Sequence, residues 1–80
     1  MTTSDHYTPI SCDAHSELEL AIIRRQPLHV RWHDDNIWRD GIVVPLDLQT
    51  RHGEEFLICR LPTGEDIDIR LDRLTRVAAA

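Results

Sequence analysis

Hydrophobic positions along this chain keep two different periods, and the change falls at Pro27. Before it, Ala14, Leu18, Ala21 and Ile22 recur at i, i+4, i+7 and i+8, the spacing of one helix face. After it, Leu28, Val30 and Trp32 alternate with His29, Arg31 and His33, which gives a strand one dry and one wet face. The pattern predicts a helix that begins at Cys12 or Asp13, with Asp13 as its N-cap, and that is stopped by Pro27. Glu17 and Glu19 lie toward the positive end of its dipole, and Arg24 and Arg25 lie at the negative end. Ser16, Glu19 and Ile23 point away from the apolar stripe, with Asp13 and Leu20 near them. His15 and Glu17 fall on opposite flanks. An exposed Leu20 or Ile23 would mark a contact surface.

The second half reads as five short strands. Asp34-Asp35-Asn36 turns the first into a longer second strand over residues 37–46, where Gly41 permits a bend or bulge and Pro45 limits pairing near the end. Arg51-His52-Gly53-Glu54 reads as a hairpin loop. Residues 55–61 carry Phe56 and Ile58 on one side and Leu57, Cys59 and Leu61 on the other, the mark of a central strand covered on both faces. After the turn Pro62-Thr63-Gly64-Glu65, residues 66–71 alternate, Asp72-Arg73 makes a corner, and residues 74–77 form an edge strand. Residues 1–6 are expected to be disordered, and residues 7–78 to form one domain in which Tyr7 and Ile10 flank Pro9 as an extended arm. A helix followed by five meandering strands is an α+β, mainly β plan. Bent at Gly41, the meander could close into a small SH3-like barrel of the Sm-like kind, which leads with a helix.

Composition narrows the function. Eighty residues leave no room for a deep cleft beside a core. The formal charge is −5 and all nine basic residues are Arg, scattered among carboxylates. That disfavours general nucleic-acid binding and favours a basic protein partner. His29 and His33 share a strand face but lie roughly 13 Å apart, too far to hold one ion. No metal site and no cofactor is expected. Cys12 and Cys59 form no close-spaced pair, and neither has a His and an orienting group nearby in sequence, so no catalytic residue and no enzyme is expected. The polar, acidic start has no apolar signal region and no run is long enough to span a membrane; a cytoplasmic chain with reduced thiols is expected. Trp32 is in phase with the core. Trp38 follows a turn and could stack a base with Arg31 and Arg39 nearby, but Asp34, Asp35 and Asp40 cancel that charge.

Tyr7-x-Pro9-Ile10-x-Cys12-Asp13, followed by Leu18-Glu19-Leu20-Ala21, resembles the N-terminal signature of the Rof family, the Rho-binding inhibitors of transcription termination. Ile69-Arg70-Leu71-Asp72-Arg73-Leu74 is similar to that family's closing Leu-Arg-Leu-Asp-Lys-Ile segment, and Glu55-Phe56-Leu57-Ile58 to its third strand. The resemblance covers residues 7–77; residues 34–48 match poorly. It implies an Sm-like fold and a bacterial, cytoplasmic antiterminator, monomeric when free. Such a protein binds the N-terminal RNA-binding domain of Rho and keeps RNA from loading, with no direct nucleic-acid contact and no membrane. By the same resemblance the partner-binding residues are Asp13, His15, Ser16, Glu17 and Glu19 on the helix, with Arg51 and His52 in the loop. Some members carry Tyr at the position of His15 and Asp at that of Ser16, so this helix is less negative than theirs. The other reading is an Sm-like RNA-binding or scaffolding domain; such domains usually form rings and carry basic or aromatic pockets, and Pro45 blunts one candidate edge.

Overall fold

A computed structural model describes residues 10–80. The expected disorder of residues 1–6 and the anchors Tyr7 and Pro9 lie outside the described residues. Helix α1 spans Cys12–Arg24, and five strands follow: β1 Leu28–Asp34, β2 Ile37–Arg51, β3 Glu54–Arg60, β4 Asp66–Arg70 and β5 Leu74–Ala79. A single 3-10 turn, Leu71–Arg73, joins β4 to β5. All four ladders are antiparallel and the strand order is β4-β3-β2-β1-β5.

The helix starts at Cys12, one of the two expected positions, but its cap is a different residue. Ser11, not Asp13, is the N-cap: its backbone is extended and its Oγ accepts from the Ala14 N–H at 3.2 Å. Asp13 sits in the first turn, where its charge favours the dipole without a capping bond. At the other end Arg25 takes a left-handed conformation (φ 51°). The Gln26 N–H reaches back to the Ala21 carbonyl at 3.0 Å, and Pro27 prevents any continuation.

Strand β2 is longer than expected and passes straight through Pro45. Its first half pairs with β1 (Leu28↔Val43 to Asp34↔Ile37) and its second half with β3 (Val44↔Arg60 to Arg51↔Glu54). The change of partner falls between Val43 and Val44; inside the second half Leu46 has no opposite number and the register slips between Pro45 and Asp47. Neither irregularity is at Gly41. Gly41 has no positive φ, and a Cβ built on it would meet no atom within 4 Å. The missing N–H of a proline is tolerated where the ladder is already broken.

The core lies inside the curve of the sheet. Leu28, Val30 and Trp32 of β1, Val43 of β2, Leu57 and Cys59 of β3, Ile69 of β4 and Leu71 of the turn are buried together. Leu18 and Ala21 of α1 complete it from one end. At roughly 1.5–3 kcal/mol for each large apolar side chain, this set supplies most of the driving force for so small a domain. The outer side of β3 is not covered by a second layer, as its pattern had suggested. Phe56 and Ile58 are half-buried, and the Arg51 guanidinium carbon lies 4.3 Å from the centre of the Phe56 ring.

Candidate functional site: the acidic helix and the hairpin beside it

Helix α1 buries only its inner stripe. Asp13, Ser16, Glu17 and Glu19 are exposed, and so are two large apolar residues among them: Leu20 is 45% exposed and Ile23 is 78% exposed. An isolated exposed Leu is ordinary, but two on a helix ridge with three carboxylates make a mixed apolar and acidic surface. The two flanks separate as the helical angle requires. Glu17 and Leu20 border a groove of about 450 Å³ between α1 and β5, lined by Leu18, Leu74 and Val77. His15 turns to the opposite side, toward β3.

His15 is the only expected helix contact residue that is not fully exposed. Its Nε2 lies 3.0 Å from Glu55 Oε2 and its Nδ1 lies 3.5 Å from Glu19 Oε1. Glu55 is the second residue of β3, opposite Thr50 on β2. The contact therefore ties the first half of α1 to the base of the β2–β3 hairpin. The two residues lie forty positions apart in sequence. The hairpin itself is tight. His52 (φ 51°) and Gly53 (φ 78°) are the two loop residues between the paired Arg51 and Glu54, and both adopt the left-handed conformation that matches the twist of the flanking strands. His tolerates that region better than most residues with a Cβ.

Arg51 is not brought to the helix. Its Nη2 donates to Asp68 Oδ2 of β4 at 2.8 Å, and its guanidinium covers Phe56 on the outer side of the sheet. Its charge is matched by Asp68, so among the expected residues only those of the helix are brought together on one face. Sequence reasoning missed Glu55 because nothing in spacing links it to His15; only the fold does.

The closing segment Ile69 to Leu74 has a different job. Arg70 forms a two-pronged pair with Asp72, Nε to Oδ1 at 2.7 Å and Nη2 to Oδ2 at 2.9 Å, and its Nη1 donates to Glu54 Oε2 at 3.2 Å. The Arg70 and Asp72 side chains are 9% and 8% exposed, so these charges pin the 3-10 corner instead of meeting a partner. Nearby, Arg60 holds Asp66 with bonds of 2.7 and 3.2 Å. The hydrogen bond from Arg60 keeps the Asp66 carboxyl below the usual carboxylate range and raises Arg60 in turn.

The two cysteines sit in opposite settings. Cys59 is wholly buried, and burial, reinforced by the charges of Asp66 and Asp68, pushes its thiol up to about 12. Cys12 is exposed and unbridged. Among the described residues no three His, Cys, Asp or Glu side chains gather in a way that could hold a metal ion, and no helix is long and apolar enough to cross a membrane.

No family model matches the chain, and no curated protein matches it. Among solved structures it is similar to proteasome accessory factor B/C (PafBC) of Arthrobacter aurescens, with a TM-score of 0.75 and 16% identity. The match covers 92% of this chain and 12% of that one. At that identity the likeness concerns the fold: one helix followed by a five-stranded antiparallel sheet, mainly β.

Proposed function

We propose that this protein is a non-catalytic inhibitor of Rho-dependent transcription termination, acting in the bacterial cytoplasm by binding the N-terminal RNA-binding domain of Rho and blocking RNA loading. The observation that carries this reading is the outer face of α1, where Asp13, Glu17 and Glu19 surround the exposed Leu20 and Ile23. A site that holds RNA phosphates is positive, so carboxylates can take the place of phosphates in the same field. Apolar side chains at the centre of such a patch supply the desolvated contact that acidic rim residues alone do not. The segments that resemble the Rof family support the same reading. We also infer that the curved sheet closes as an Sm-like barrel: β2 pairs with β1 through its first half and with β3 through its second, and a single 3-10 turn joins the two edge strands.

The decisive test is charge reversal on the helix. Glu17→Lys with Glu19→Lys is expected to weaken binding to purified Rho while the thermal melt stays within a few degrees of wild type. Because exposed charges act largely through association rate, the defect should narrow as salt is raised. A double variant that binds Rho like wild type at low salt would remove the helix from the interface.

A further inference from the structure

The outer face of β1, β2 and β5 carries a second surface, built on the sheet instead of the helix. Trp38 and Trp32 behave oppositely there. Trp32 is in the core, whereas Trp38 is 55% exposed. The Trp38 ring rests on its neighbours: the guanidinium carbon of Arg31 is 5.2 Å from its centre, and the His33 ring, its register partner, is 5.0 Å away at a tilt of 54°. A ring braced by a guanidinium and an imidazole and still half exposed is a platform for a further planar group.

The charges around it are arranged unusually. Arg31 lies directly across from Arg76 on β5, and like charges in such a pair oppose folding. Among the described residues neither has a carboxylate within 4 Å. The acids that cancel them in the sequence are engaged elsewhere: Asp40, the register partner of Arg31, pairs with His29, and Asp34 lies 3.4 Å from Arg39 Nε. The pair is also held in place, since the Thr75 hydroxyl donates to the Arg31 carbonyl at 3.1 Å across the irregularity where β5 meets β1. Opposed positions on antiparallel strands put their Cβ atoms about 5 Å apart, so both guanidiniums can reach one anion.

From this we infer that the face binds a short stretch of single-stranded nucleic acid, with a base stacked on Trp38 and its phosphate held between Arg31 and Arg76. An aromatic platform beside a cation pair is the minimal unit of such recognition. An acidic peptide would answer the two guanidiniums but would leave the Trp38 platform without a planar partner. The site goes beyond the proposed contact with Rho and does not rest on it.

The test uses the full chain at low salt with fluorescently labelled oligouridylate and oligothymidylate of about eight nucleotides, followed by anisotropy. Both should bind through this face, and their ratio tells whether RNA or DNA is preferred. Trp38→Ala should weaken binding about tenfold, the order expected for one stacked base. Arg31→Ser with Arg76→Ser should weaken it similarly and flatten the dependence of log K on log salt from a slope of about −0.7, that of one phosphate on a single strand, toward zero. Fluorescence of the buried Trp32 reports that the variants remain folded. Absence of oligonucleotide binding by the wild type, or equal binding by wild type and both variants, overturns the proposal. So does competition-proof binding of a polyglutamate peptide at Trp38 with none of either oligonucleotide.

Discussion

A single methylene or charge decides the behaviour of several residues in this chain. Cys59 and Cys12 are the same chemical group in opposite settings, one wholly buried and one exposed. Burial keeps the Cys59 thiol protonated to about 12, against about 9 for an ordinary thiol on the same scale. A folded-state value raised in this way means that stability is fully present below the unfolded value and is lost as pH climbs toward the folded one. The protein should therefore show an alkaline loss of stability between about pH 9 and 12 that Cys59→Ala removes, after allowance for the core cavity that change opens. In the native state at pH 8, iodoacetamide should label Cys12 and leave Cys59 untouched, as mass spectrometry of the digest would read. Equal labelling of both thiols would contradict the packing of β3.

At the level of elements, the corner between β4 and β5 carries more weight than its three residues suggest. Arg70 joins Asp72 of the corner to Glu54 of β3, and the first pair is almost wholly out of water. Removing one member of such a pair strands the other charge, which costs about 3–5 kcal/mol. Arg70→Ala should thus lower the urea midpoint sharply, and chemical denaturation at neutral pH would measure it; Arg60→Ala, which breaks only a solvent-exposed pair with Asp66, is the mild control. A midpoint unchanged in Arg70→Ala would mean that the corner is held by Leu71 packing alone. The long strand teaches a complementary point. A glycine with open space at its Cβ was the visible candidate for a bend, yet β2 changes partners between Val43 and Val44 and its ladder slips between Pro45 and Asp47. A proline inside a strand is better read as the place where pairing is interrupted than as the place where the strand stops.

At the scale of the molecule, two surfaces of different chemistry carry the two proposals. The helix presents acid and exposed aliphatic groups, while the face bearing Trp38 presents paired guanidiniums. If the helix occupies Rho's RNA site, inhibition should be reversible and stoichiometric, and the fraction of Rho blocked should follow mass action. In a termination assay, read-through should rise with the ratio of this protein to Rho and fall when excess single-stranded RNA is added. Full inhibition at amounts far below that of Rho would point to a modifying enzyme and sink the competitive reading. Addition of RNA to a complex of the Trp38→Ala variant with Rho separates the two surfaces, because only the competition at Rho should then remain.

Much of this architecture was legible in the chain because periodicity is a local property. The helix ends where Pro27 must end it, and the strand period of two fixes that Leu28, Val30 and Trp32 face inward together; in β3, apolar on both sides, it could not choose Leu57 and Cys59 over Phe56 and Ile58. The two-residue loop His52-Gly53 was readable for the same reason: turn chemistry lies in adjacent residues. The N-cap was misplaced by two residues because Ser11 and Asp13 are both competent, and only the path of the entering chain selects between them. What the tertiary structure alone decided is which distant groups meet. His15 finds Glu55, Arg51 turns to Asp68 and not to the helix, and Asp40 goes to His29, which leaves Arg31 against Trp38. Charges summed along a sequence cancel by proximity in the chain, whereas on a folded sheet they cancel by register, and register is set by a core that the charged residues do not enter.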